Sequence, residues 1–166
     1  MPQTSPAYAR CPAGFTLVEL TIVILILSIL SAMVIPKITQ GSDESRAAAA
    51  ATTIQSVQAK IMEANARDGA FPATIDPNWF ADNQLPQNPW DLDYTGSRVW
   101  YDTTASATQT HPLFKFFRGT GVYWYNPSNG RFRALVPTQA TDEETLRVYN
   151  ASNGASASSL TELSGG

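Results

Sequence analysis

The sequence predicts an α+β fold: one long N-terminal α-helix that packs by its second half on a small antiparallel β-sheet domain. Three observations predict it. Residues 15–35 form a run of 21 residues whose single charge is Glu19. Residues 42–68 follow, with apolar positions recurring at three- and four-residue steps. Beyond Gly69 come short aromatic stretches separated by Pro, Gly and Asn, the pattern of strands and turns.

The apolar run is long enough to cross a bilayer, because about 20 apolar residues span roughly 30 Å as a helix. A carboxylate inside such a run costs roughly 2.5–3.5 kcal/mol on insertion scales, so Glu19 calls for a partner. Residues 1–14 are polar and Pro-rich, with Arg10 their one basic side chain. A secretory signal peptide places its small-residue cleavage position after the apolar stretch. Here the small residues, and also Cys11, precede it, which disfavours a signal peptide and a lipoprotein site. Lys37 and Arg46 lie beyond the run, so the positive bias of Arg10 does not fix orientation alone.

Proline inside a helix removes a hydrogen bond and kinks it. At Pro36 the residues alone leave two outcomes open: the helix ends there, or it continues bent. Ser42 or Asp43 would cap a restarted helix. Ala47, Ala50, Ile54, Val57, Ile61 and Asn65 form the stripe of the second half, thickened by Met62. Lys60, Glu63 and Arg67 have surface ion-pair spacing. Asp68-Gly69 reads as the stop, with Gly69 in the left-handed cap. The stripe lasts barely three heptads and is rich in alanine, which disfavours a coiled coil. The organisation expected is residues 1–14, a helix over 15–36, its amphipathic continuation over 37–68, a small domain over 69–149, and a loose tail over 150–166.

In that small domain, Phe71-Pro72, Asp76-Pro77, Leu85-Pro86 and Asn88-Pro89 preclude long regular structure. Strands are expected over 98–101, 121–125 and 131–136, with a fourth over 113–117. Asn126-Pro127-Ser128-Asn129-Gly130 reads as a hairpin turn closing on a left-handed glycine. Thr141-Asp142-Glu143-Glu144 is a capping box for a short helix ending at Tyr149. The Ser, Ala, Gly and Asn of 150–166 suggest a flexible tail.

The hexapeptide Gly14-Phe15-Thr16-Leu17-Val18-Glu19, set against the apolar run, resembles the processing site of type IV prepilins and of the pseudopilins of type II secretion. The resemblance implies cleavage of a leader between Gly14 and Phe15 by prepilin peptidase, N-methylation of Phe15, a type IV pilin-like fold, and a helix that continues past Pro36 with a kink. It also implies that Glu19 serves subunit assembly, with residues 15–36 acting as both membrane anchor and polymerisation helix. The leader carries less positive charge than family leaders often do. Phe71-Pro72 and Leu85-Pro86-Gln87-Asn88-Pro89-Trp90 are similar to the loop of the major pseudopilin, with Asn88 where Asp is usual and Asp91 where Gly is usual.

Cleavage would remove 14 of 166 residues and leave 152, without the chain's one cysteine. No disulfide is then available, which leans toward a pseudopilin, since many adhesive pilins close a loop with one. The formal net charge is −3, and −4 without Arg10, which argues against a nucleic-acid surface. No catalytic constellation is found. His111 is the sole histidine and reads as a loop or surface residue. Asp91, Asp93 and Asp102 offer oxygen ligands to a cation. The Gly/Asp-rich calcium motif of major pseudopilins has no match, so no metal or cofactor is expected, with calcium as the minor alternative. Trp79, Trp90, Trp100 and Trp124 read as core in preference to a sugar platform.

The function expected is therefore a non-enzymatic, structural subunit of a type II secretion pseudopilus. It would be a single-pass protein of the bacterial inner membrane with its C-terminal domain in the periplasm. The partners implied are copies of itself, other pilins and pseudopilins, prepilin peptidase, the inner-membrane assembly platform and lipid. The alternatives are a type IV pilin of a surface fibre for adhesion, motility or DNA uptake, and a membrane-anchored periplasmic binding domain that never polymerises.

Overall fold

The computed structural model describes residues 15–91, 98–117 and 122–163, with side chains left undescribed over 32–41. The chain divides into two units, Met1–Gln40 and Gly41–Gly166. Helix α1 runs Leu17–Asp68. The helical backbone therefore passes through Pro36 and does not restart at Ser42 or Asp43. It ends as expected at Gly69, whose φ of +74° is left-handed and whose N–H donates to the Asn65 carbonyl at 2.9 Å.

Within the second unit, α1 buries Ala47, Ala50, Ile54, Val57, Ile61 and Ala64. These steps of three and four make a narrow seam. Ala64 takes the place expected for Asn65, which is only half-buried. Met62 lies off the seam, 50% exposed, and does not thicken the stripe. Of the expected surface ion pairs, Lys60–Glu63 forms at 2.9 Å, whereas Arg67 turns to its neighbour Asp68.

The seam packs on Tyr123, Tyr125, Phe132 and Ala134. These come from β2 (Tyr123–Asn126) and β3 (Arg131–Ala134), an antiparallel hairpin. Its turn is as expected: the Gly130 N–H donates to the Asn126 carbonyl at 2.8 Å, with φ +69° at the glycine. Strand β1 (Val99–Tyr101) joins on the other side of β2, but parallel to it, with Trp100 opposite Trp124. The sheet is therefore mixed, not antiparallel. A parallel neighbour needs a connection of a dozen residues or more. The 21 residues of 102–122 supply that length between β1 and β2. The expected fourth strand is reduced to one parallel bridge between Phe116 and Val136. Its middle residue, Lys115, is fully buried and is used in a polar contact described below.

The outer edge of β3 is closed by side-chain amides, not by another strand. Gln58 of α1 accepts from the Phe132 N–H at 3.1 Å and donates to the Gly130 carbonyl at 2.7 Å. Asn153 accepts from the Ala134 N–H at 2.7 Å and donates to the Ala134 carbonyl at 2.9 Å. Each amide mimics a strand residue and removes a free edge. The Pro-rich loop is held by tyrosine hydroxyls of the sheet. Tyr125 donates to the Pro72 carbonyl at 2.8 Å, Tyr123 to that of Pro86 at 3.0 Å, and Tyr101 accepts from the Ile75 N–H at 3.3 Å.

Helix α2 (Asp142–Asn153) starts at the expected cap, Thr141, whose hydroxyl accepts from the Glu144 N–H at 3.1 Å. It continues past Tyr149 to Gly154, where φ is +53°. Over its described residues, up to 163, the tail beyond it is hydrogen-bonded to the rest of the domain. Asn150 exchanges two hydrogen bonds with Ala157 at 2.9 and 3.0 Å. The Leu163 carbonyl accepts from the N–H groups of Thr110 and His111, both at 3.1 Å. All four residues of β2 are buried, so the sheet face away from α1 also needs a cover. Trp124 lies there with Ala105 and Leu135.

Candidate assembly site

The first unit offers a surface with no interior. Every described residue from 15 to 31 is exposed, including Phe15 at 80%, Leu17 at 79% and Leu25 at 62%. A helix apolar on all sides is built for a nonaqueous or protein surround. Over the described residues, no helix is long and apolar enough to cross a membrane.

The polar atoms of this segment are turned inward on its own backbone. Thr21 donates to the Val18 carbonyl at 2.8 Å and Ser28 to that of Ile24 at 2.7 Å. Such back-bonding leaves hydroxyls tolerable in an apolar surround. Glu19 is handled at the helix start. Thr16 precedes α1 as its cap, and its hydroxyl accepts from the Glu19 N–H at 3.2 Å. The Glu19 carboxylate in turn accepts from the Thr16 N–H at 3.1 Å and the Thr16 hydroxyl at 3.0 Å. This is a reciprocal capping box, and its carboxylate also suits the positive end of the helix dipole. The Thr-x-x-Glu spacing of residues 16–19 is the signal that could have found it, the same one that marks Thr141. Gly14 lies outside the described residues. Pro36 lies within α1, and its side chain is among those not described.

The other residues considered for chemistry have structural employment. His111 is buried, not on the surface, and its Nδ1 lies 2.9 Å from the Tyr149 hydroxyl. Burial, helped by the Arg133 and Lys115 charges, pushes its pKa down to about 4, so the ring is neutral at neutral pH. Lys115 donates to the Glu162 carbonyl and stands 5.8 Å from the Tyr149 ring centroid. Burial lowers its pKa to about 8, against the pull of Glu162. Asp102 accepts from the Trp124 indole at 3.1 Å and the Thr104 hydroxyl at 2.9 Å. Asp91 is buried, and Asp93 lies outside the described residues. Trp90 and Trp124 are buried in different clusters, Trp79 is half-buried, and Trp100 is 41% exposed, so they form no common platform. Among the described residues, no three His, Cys, Asp or Glu side chains gather where a metal ion would sit.

Comparison with known proteins agrees with the character of the first unit. A family model described as a prokaryotic N-terminal methylation motif matches residues 10–35. The chain is 28% identical over 103 residues to the type II secretion system core protein G of Pseudomonas aeruginosa, covering 51% of this chain and 72% of that one. No solved structure matches. The chain carries the methylation motif, is homologous to that core protein, and has an α+β fold consistent with a pilin-like one. Both matches point to a structural subunit and not to an enzyme.

Proposed function

We propose that this chain is a structural subunit of a type II secretion pseudopilus. Prepilin peptidase removes residues 1–14 between Gly14 and Phe15 and methylates Phe15. The subunit rests in the bacterial inner membrane as a single-pass protein, with its C-terminal domain in the periplasm. The assembly platform then draws it into a filament with copies of itself and other pseudopilins.

One observation carries this function. The only charge of residues 15–35 is a carboxylate at the start of α1, and among the described residues its hydrogen-bond partner is Thr16. In the uncleaved chain the Phe15 nitrogen is an amide. Cleavage turns it into a cationic amine. A Glu19 carboxylate in a low-dielectric surround gains more from such an amine on a neighbouring subunit than it would in water. That pairing fixes the axial register between subunits, and the exposed apolar faces exchange lipid for one another. Pro36 within α1 allows the helix to bend as it packs, and no resident metal is needed. The similarity to a secretion core protein, and a mature chain without cysteine, favour secretion over a surface fibre.

The test is the intact mass and N-terminal sequence of the protein from native membranes. A chain starting at N-methylated Phe15 supports the proposal. A chain that retains residues 1–14 overturns it and leaves a plain membrane anchor with a periplasmic domain.

A further inference from the structure

In the second unit, α1 and α2 leave a groove of about 220 Å³ with a floor of Ala47, Ala48, Val148 and Ala151. Three alanines and a valine make a depression, because no long side chain fills the space between the helices. The rim is charged by Asp43, Glu44 and Arg147. Arg147 is already bound to Glu144 at 2.7 Å. Among the described residues, neither Asp43 nor Glu44 has an ion pair of its own, so the rim is acidic on balance.

The same unit carries a surface of opposite character. Trp100 on β1 is 41% exposed, in a domain that buries Trp90 and Trp124. Arg98, two residues earlier, is exposed. In extended backbone, positions i and i+2 share a face, which puts positions 98 and 100 on one side of the chain. Exposed Trp and Arg are the side chains that most often anchor protein interfaces.

We propose that the groove between α1 and α2 receives Trp100 of a second copy of this chain, with Arg98 of that copy against Asp43 and Glu44. The indole would cover the alanine floor, and the guanidinium would meet the acidic rim. Groove and knob are different surfaces of one chain, so the contact is heterologous. A heterologous contact that does not close into a ring repeats indefinitely and builds a filament. This rests on the filament function only for the choice of a second copy as occupant, and it adds a contact outside residues 15–36.

The experiment uses the full chain in native membranes, in a Cys11→Ser background so that introduced cysteines are the only thiols. Ala48→Cys and Thr103→Cys are both at exposed positions, the second three residues beyond Trp100 so that the indole is kept, and are combined in one chain. Mild oxidation is then followed by gel analysis, with filaments sheared and counted in parallel. The expected result is a ladder of dimers, trimers and higher multiples, absent from either single variant. Reversing Arg98→Glu, or Asp43→Lys with Glu44→Lys, lowers ladder yield about tenfold, and combining the reversals restores it to within about twofold, because like charges repel across a contact. Filaments without a ladder overturn the proposed contact and leave the filament function standing. A ladder without filaments supports the contact and overturns the filament function. Neither ladder nor filaments overturns both.

Discussion

Two residues carry predictions that the sequence alone did not contain. Asn88 is fully buried, and its amide donates to the carbonyls of Val122 at 2.8 Å and Leu135 at 3.0 Å while accepting from the Trp90 N–H at 3.1 Å. The sequence marked this position only as Asn where Asp is usual in similar proteins. The structure supplies the reason for the amide: a carboxylate has no hydrogen to give to two carbonyls. Asn88→Asp is expected to destabilise the domain by roughly 2–5 kcal/mol, because it buries a charge against two carbonyls and takes the amide donor from that of Leu135, whereas that of Val122 keeps the Leu135 N–H. Urea unfolding of the full chain in detergent checks it, and a loss below about 1 kcal/mol contradicts it. Thr16 is the second case. Thr16→Val deletes the hydroxyl that both caps α1 and binds Glu19, at a cost of about 1 kcal/mol to the helix start. The Thr16 N–H still holds the carboxylate, so sheared filament yield should fall, but less than for Glu19→Ala. Equal loss in the two variants would show that Glu19 depends wholly on the hydroxyl.

At the scale of elements, helices were legible and sheet topology was not. The α1 seam could be read because a 3.6-residue period leaves a pattern over twenty residues. Strands β1, β2 and β3 have three or four residues each. Such short strands show where pairing occurs but carry no sign of its direction, so the parallel β1 was missed. The hydrogen bonds of the described tail were not legible for another reason. Its order comes from single polar atoms, such as the Asn150 amide on Ala157, and composition does not reveal where one amide finds its partner. The hairpin was legible through Gly130, and the structure adds a second constraint there. A Cβ on Gly130 would run into the Phe71 ring, in addition to the strain at φ +69°. Gly130→Ala should therefore cost roughly 2–4 kcal/mol, from backbone strain and overpacking together. Pairing it with Phe71→Ala should relieve the overpacking share, leaving a non-additive cycle in urea midpoints. Strict additivity would show that the ring is not the obstacle.

For the molecule as a whole, the two units make opposite demands. The described part of the first unit buries nothing of itself, so its stability belongs to whatever surrounds it. The second unit has its own core, and that core contains a titrating device. His111 is 3% exposed and is joined through Tyr149 to α2, with Arg133, Arg131, Lys115 and Glu162 as the charges acting on it. Burial moves its pKa from the usual 6.5 to about 4, so the folded state favours the neutral ring. Between those values the unfolded chain binds the proton and the folded chain does not. The histidine's contribution to stability is therefore complete above about pH 6.5 and falls as pH drops toward 4, by roughly 3 kcal/mol over the window. The carboxylates held low by partners, Glu63 by Lys60, Glu144 by Arg147 and Glu162 by Ser158, are shifted downward too and so have the same direction of loss. Their contribution is present above their ordinary value of 4.5 and declines below it. They are exposed, so screening keeps it small. The two sources separate by window, because among these groups the histidine alone acts between about pH 6.5 and 4.5. His111→Gln keeps a polar atom near Tyr149 but carries no titrating proton. Thermal unfolding of the full chain in detergent, followed by the fluorescence of buried Trp90 and Trp124, should show the midpoint falling across that window in the wild type and nearly flat in His111→Gln. The same slope in both proteins would mean that the folded state takes up the His111 proton as readily as the unfolded chain does.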